Sequence, residues 1–367
     1  MNSLIKKNVS QIIAYVPGKP IEEVKREYGL RKILKLASNE NCLGPSPKAI
    51  KAIREKLFNI SRYPDGACYY LKKALSNFFS LKEDNFVLGN GSDELIDIII
   101  KTFLKDGEEV LSANTTFLEY EIITKVNNGI FKSVPLVNFK YDLDSIKNKI
   151  TKNTKIIFIA NPNNPTGTYI NEKESVKFLK GIPKNIVVVF DEAYFEFVDE
   201  KDYFNSLKWI NKYNIIVLRT FSKAYGLAGL RLGFSISNPV FAQFMNQVRQ
   251  PFNINYLAQI GGVAALKDKA FLERIKQLIW KEKRFIYNNL DELKINYIPS
   301  AANFILINIK DNGLKLTKEM LKEGVIVRDM QQYGLSNFIR LTIGTRKENI
   351  AFLEIFRDKL KQVNKQK

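Results

Sequence analysis

"TFSKAYGLAGLRLGF", residues 220–234, follows directly on the apolar run "NIIVLR". A run that is apolar throughout, rather than alternating, suits a strand buried on both faces, and the polar residues behind it mark the strand's carboxyl end. There the chain sets Lys223 among small residues, with Arg231 eight positions later. Working back, "NIVVVFDEAY" (185–194) ends the same way on Asp191, and "KIIFIANPNNPTG" (155–167) runs into Asn164. "LRLGFSISN" (230–238) is a fourth such run. The intervals leave room for crossover helices, so the pattern predicts an α/β fold with a parallel sheet covered by helices.

Further elements frame these strands. "DNFVLGNGSDELIDIIIKTFLKDG" (84–107) reads as strand, glycine turn and helix, with Ser92 and Asp93 at the helix start. "PSPKAIKAIREKLFNI" (45–60) predicts a helix capped by Ser46, with Pro47 in its first turn. After about residue 250 the texture changes. "KAFLERIKQLIWKEKRFIYNNLDELKI" (269–295) has an amphipathic helical period and no internal Gly or Pro. Three short apolar runs and a final helix over 347–365 then suggest a smaller α/β domain.

Composition removes several function classes. The chain has 367 residues and a net charge of +19, but its lysines are spread and interleaved with acids. No RNA-binding signature, zinc-finger spacing or basic recognition helix stands out, so nucleic acid is not the expected partner. No apolar run approaches the ~18 residues of a membrane span, and no signal peptide is apparent. Two cysteines, Cys42 and Cys68, fit reduced thiols and a cytoplasmic location. There is no histidine at all. A Ser-His-Asp triad is therefore excluded, the commonest metal ligand is missing, and no metal is expected. Proton transfer falls to Lys, Tyr, Asp or Glu, or to a cofactor.

In open parallel sheets, ligands bind beyond the carboxyl ends of the strands. Asn164, Asp191 and Lys223 each stand at such an end. The turn "GNGSDE" adds a helix N-terminus suited to a phosphate, and Ser222 and Arg231 can add a hydroxyl and a forked guanidinium. A lysine, a buried-strand acid and a phosphate cradle are the parts that pyridoxal 5'-phosphate (PLP) requires. Each part alone has an ordinary structural reading as a cap, a turn or a solvated charge; their order and shared position at strand ends carry the inference.

The chain also resembles the histidinol-phosphate aminotransferase family, within the fold-type I PLP aminotransferases. The resemblance runs through "LASNENCLGPSPKAI", "RYPDGACYYLKKAL", "LGNGSDELID", "NPNNPTG", "DEAYFEF", "TFSKAYGLAGLRLGF", "RQPFNINYLAQ", "VIVRDM" and "FIRLTIGTR". It implies a large domain with a mostly parallel seven-stranded sheet flanked by helices, plus a smaller α/β domain. The implied division is residues 1–40 as an N-terminal arm and part of the small domain, 41–255 as the PLP-binding domain, and 256–367 as the small domain. It further implies that Lys223 bonds covalently to PLP, Asp191 pairs with the ring nitrogen, and Asn164 and Tyr194 hold the phenolic oxygen. Lys223, Asp191 and Tyr194 are the implied catalytic residues. Ser92, Asp93, Ser222 and Arg231 match the phosphate cradle, Phe117 the ring that stacks on the pyridine, and Tyr15, Arg328 and Arg340 the substrate side. Tyr63 matches a tyrosine that reaches the neighbouring subunit's cofactor, implying a homodimer with shared sites. The implied reaction moves an amino group between L-histidinol phosphate and 2-oxoglutarate, giving glutamate, in histidine biosynthesis. Aromatic or broad-range aminotransferases and a threonine-phosphate decarboxylase look similar and remain open as alternatives. Two departures touch loops: Cys42 stands where a proline is usual, and "ANTTF" lacks the proline before the aromatic.

Overall fold

The computed structural model describes residues 4–14, 16 and 18–365, except for the side chains of 363–365. Its strands are β1 (Leu34–Lys35), β2 (Phe86–Gly89), β3 (Glu109–Ala113), β4 (Ile130–Val134), β5 (Thr154–Ala160), β6 (Val187–Asp191) and β7 (Ile215–Thr220). They continue with β8 (Gly233–Ser237), β9 (Tyr297–Ile298), β10 (Phe304–Asn308), β11 (Val325–Ile326), β12 (Arg328–Asp329) and β13 (Phe338–Thr342).

Seven of these form one sheet in the order β2-β8-β7-β6-β5-β3-β4. The apolar runs become its centre: every residue of β6 and β7 is buried. Helices Ser92–Phe103 and Glu172–Lys180 cover it, contributing Leu95, Ile96, Ile99, Phe178 and Leu179 to the core. The fourth run departs from the parallel expectation. β8 is antiparallel to both β7 and β2, pairing Gly233 with Thr220 and with Gly89. The segment between β7 and β8 holds only a single 3-10 turn, Ala228–Leu230, and no crossover helix, so the chain must double back.

The smaller unit has a four-stranded antiparallel sheet, β12-β13-β10-β9. The long amphipathic pattern is one helix, Lys269–Glu292, whose Ile275, Ile279, Ile286 and Leu290 pack with Phe304, Ile307, Leu316 and Phe352. The final helix runs Arg346–Lys365. Near the N-terminus, β1 adds to β11 in parallel, and Val24 and Ala37 pack on Leu321 and Ile326. The capped helix forms as read: Ser46 Oγ accepts from the Ala49 N–H at 3.3 Å ahead of Pro47–Lys56.

One helix lies just past the boundary drawn at 255/256. Helix Tyr256–Leu266 belongs to the larger core through Ala258, Ala265 and Leu266. A Cβ on Gly262 would lie 2.6 Å from Leu232 Cδ2, so the helix approaches the larger core closely here. The helix is apolar all round and shows no one-sided stripe, which hid its allegiance in the sequence. Among the described residues no helix is long and apolar enough to cross a membrane.

One charged cluster is sealed inside the larger unit. Arg219 on β7 is only 2 % exposed. Its Nη2 lies 2.6 Å from Glu192 Oε2, its Nη1 3.4 Å from Glu196 Oε1, and its guanidinium sits 3.5 Å over the Phe195 ring. Burial raises the pKa of both glutamates, and the arginine's charge opposes that rise. Arg219→Met should therefore lower stability by ~3–5 kcal/mol, because buried carboxylates lose their counter-charge. Urea midpoints check this, and Arg219→Met/Glu192→Gln should recover part of the loss. No recovery would assign the effect to volume instead.

Candidate functional site

The carboxyl ends of β2, β3, β5, β6 and β7 open into a cavity of about 390 Å³. Of the thirteen residues singled out from the sequence, eleven line it. Tyr63 does not, and Tyr15 lies outside the described residues.

One end of the cavity, the candidate anion cradle, is formed by a glycine turn, a helix N-terminus and Arg231. Gly91, at φ 84°, caps helix Ser92–Phe103 without a side-chain hydrogen bond, so the first N–H groups are left for a ligand. The cradle has no room for side chains: a Cβ on Gly91 would lie 2.4 Å from Arg231 Nη2, and one on Gly233 would lie 2.7 Å from the Ser92 nitrogen. Arg231 Nη2 sits 3.0 Å from Asp93 Oδ2, and Arg231 Nη1 donates to Ser222 Oγ at 3.5 Å.

The floor is an acid. Asp191 ends β6 and is 6 % exposed. Tyr120 Oη donates to Asp191 Oδ2 at 2.6 Å, and the Ala193 N–H donates to Oδ1 at 3.1 Å. Burial raises the pKa of Asp191 from 3.8 to about 6, against the opposing pull of Tyr120, the Ala193 N–H and Lys223. Burial, and then the Asp191 charge, push the Tyr120 phenol well above its ordinary pKa, so it stays a donor. Tyr120 is fixed by stacking on Phe158, with centroids 4.6 Å apart, and Phe117 meets its edge at 5.7 Å.

Opposite the cradle, two arginines face each other. Arg328 on β12 pairs in register with Arg340 on β13, and both are buried. Like charges directly opposite on a sheet repel, so such a pair invites an anion. Arg340 donates to the Asn164 side-chain oxygen and, at 2.8 Å, to the Ala37 carbonyl. Its Nε is buried without an acceptor, and no carboxylate among the described residues pairs with it. Arg328 Nη2 donates to the Val16 carbonyl at 2.6 Å. Because Arg340 takes the Asn164 oxygen, the amide's NH₂ end is the one left to donate elsewhere. Tyr194 is held by Asn39, whose Nδ2 donates to the phenol oxygen at 2.9 Å.

Lys223 follows β7 and donates to the Ser38 carbonyl at 3.2 Å. Its Nζ lies 5.7 Å from the centre of the Tyr194 ring. Gly226 locks this loop in place: at φ 68°, a Cβ there would sit 2.1 Å from the Gly44 carbonyl oxygen. Tyr63 stands apart, 83 % exposed and stacked on Phe252 at 4.9 Å.

Two working residues escaped the sequence reading. Tyr120 lies three residues after Phe117, one helical turn on, and that spacing was the available signal. Asn39 sits in the quoted "LASNEN" stretch at φ 54°, a conformation asparagine tolerates, but nothing in the sequence tied it to Tyr194.

Comparison with known proteins identifies the family. Residues 31–356 match the family described as aminotransferase class I and II. The histidinol-phosphate aminotransferase of Moorella thermoacetica is 44% identical over 352 residues, covering 95% of this chain and 91% of that protein. That of Caldicellulosiruptor saccharolyticus is 40% identical over 358 residues, covering 97% and 100%. The crystal structure of the histidinol-phosphate aminotransferase from Sinorhizobium meliloti, in complex with pyridoxal-5'-phosphate, superposes with a TM-score of 0.90 at 25% identity, covering 98% of each chain. The chain belongs to the aminotransferase class I and II family.

Proposed function

We propose that this chain transfers an amino group between L-histidinol phosphate and 2-oxoglutarate, with PLP as cofactor, as a cytoplasmic enzyme of histidine biosynthesis. The observation that carries the substrate reading is Arg340, a buried guanidinium at the cavity wall with an unmatched Nε and no carboxylate partner among the described residues. Histidinol phosphate presents a phosphate and glutamate a carboxylate, and a guanidinium can bind either.

The residues present fit PLP. The glycine cradle, closed to any Cβ, leaves backbone N–H groups, Ser222 and Arg231 to hold a phosphate. Asp191 supplies a buried anion for the ring nitrogen, Asn164 and Tyr194 donors for the phenolic oxygen, and Phe117 an aromatic face. When bound, the protonated pyridine ring takes up the charge left on a substrate carbon once its proton is removed. Asp191 keeps its anionic form beside such a cation, since an opposite charge reverses the effect of burial. Tyr120 aims that carboxylate through its 2.6 Å hydrogen bond. The Lys223 amine, placed by the Gly226 turn, takes the proton from the substrate carbon and returns it. Arg340 joins the two ends of the site, because the guanidinium offered to the substrate anion also orients Asn164.

A surface feature supports a homodimer with shared sites. Phe58 is 95 % exposed, Leu57, Ile60, Tyr63 and Tyr70 nearby in sequence are exposed too, and so is Phe252, which stacks on Tyr63. Tyr63 of a second copy is the residue proposed to reach the cradle.

The cofactor assignment is checked by borohydride reduction and peptide mapping, which should place the pyridoxyl group on Lys223. Its appearance on another lysine would overturn the role. Among amino donors, kcat/KM for histidinol phosphate should exceed that for phenylalanine and tyrosine by roughly tenfold or more; both amino acids also offer Arg340 a carboxylate, so the difference reads recognition of the phosphate and imidazole groups. Equal values would favour a broad-range aminotransferase.

Asp191→Asn should cut turnover by about a hundredfold or more. It should also change stability in cofactor-free protein. The Asp191 pKa is raised on folding, so its contribution is full below pH 4 and is lost as pH rises through about 6. The wild-type minus Asp191→Asn difference in unfolding free energy should fall by up to ~3 kcal/mol between those limits. A difference that stays flat with pH would contradict the assignment.

Arg340→Lys keeps the charge and loses the fork. Single-turnover measurements with histidinol phosphate and with glutamate should each weaken by ~1.5–3 kcal/mol. Loss in one half-reaction alone would assign the two anions to different arginines, and loss of stability with both intact would make Arg340 structural.

A further inference from the structure

Two segments with different destinations meet at one carboxylate. Glu94 Oε2 accepts from the backbone N–H of Asn90 at 2.5 Å, in the middle of the Gly89–Gly91 turn that shapes the cradle. The same oxygen accepts from Asn253 Nδ2 at 2.6 Å. Asn253 also donates to the Leu88 carbonyl at 3.1 Å, on the strand that enters the turn. On its other side, the Asn253 oxygen accepts from Arg249 Nη1 at 2.6 Å, and Arg249 Nη2 donates to the Gly66 carbonyl at 2.8 Å. Gly66 lies in the loop that carries Tyr63, and Phe252, beside Asn253, stacks on the Tyr63 ring. Phe252 has φ 58°, a conformation that bulky side chains avoid, so its neighbours must hold it there. A Cβ on Gly66 would already come within 3.3 Å of that ring.

Glu94 does not line the cavity. An acid beside an anion cradle works against anion binding by charge alone, so its place calls for a geometric reason. The ordinary reading is a first-turn acid that favours the helix N-terminus. That reading accounts for a carboxylate near the helix start but not for the bond to Asn253 or the path onward to the Tyr63 loop.

We infer that Glu94 and Asn253 are positioning residues that tie each subunit's phosphate cradle to the loop it presents to its neighbour, so that each cofactor site sets the geometry of the other. The inference rests on the shared-site dimer proposed above.

Hybrid dimers test it in trans. In the reference hybrid one subunit carries Lys223→Ala and the other is wild type, so only the wild-type subunit holds PLP on a lysine. Tyr63→Phe added to the lysine-less subunit is the control for shared sites. Glu94→Ala, and separately Asn253→Ala, added to that same subunit test the coupling. The readouts are the rate at which lysine-bound PLP is lost from the intact subunit after dilution into PLP-free buffer, and turnover with histidinol phosphate. Both coupling variants should speed PLP loss by about fivefold or more, although every residue of that subunit is wild type. A purely local structural role would leave the neighbour unchanged. If Tyr63→Phe acts in trans while Glu94→Ala and Asn253→Ala do not, the coupling is overturned and the shared site stands. If Tyr63→Phe has no effect in trans, both fall. Should Glu94→Ala fail to assemble, Asn253→Ala decides.

Discussion

A phenol holding a carboxylate under cover sets the terms for the cavity. Asp191 is buried at the end of the central strand, where its charge is disfavoured, and Tyr120 keeps it aimed and hydrogen-bonded there. An opposite charge offsets the effect of burial on such a group, so the floor of the site favours a cation above it. The rest follows from geometry. The parallel strands on either side end at the same level, and the residues just past them supply a lysine, an amide and an anion cradle around that acid.

Much of this was legible because a sheet buried on both faces leaves its polar residues few places to stand. Asn164, Asp191 and Lys223 interrupt apolar runs, and that interruption is a local signal. The direction of β8 was not legible from its composition, since buried antiparallel and parallel strands look alike; the short β7–β8 connection was the better clue. Helix Tyr256–Leu266 misled for a related reason: with glycines and alanines on every side, it carries no stripe to say which core it joins. Tyr120 and Asn39 act through contacts that span 71 and 155 residues of sequence, and pairings of that range leave no local trace.

The site's electrostatics divide into two anion-accepting ends with an acid between them. At one end, backbone N–H groups and Arg231 converge on the glycine turn. At the other, Arg328 and Arg340 pair in register across β12 and β13, both buried in the cavity wall. A ligand that is anionic at both ends satisfies the cavity as a whole. The surrounding surface, at a net charge of +19, favours the approach of such ligands at low ionic strength.

The absence of histidine from all 367 residues has a use beyond narrowing the chemistry. Any imidazole resonance from a sample of this protein must come from a small molecule. The nitrogens of an imidazole ring bound in the cavity can be followed by magnetic resonance without imidazole background from the chain. A free imidazole changes charge near pH 6.5, so the same ring nitrogens also report the protonation state of the bound ring.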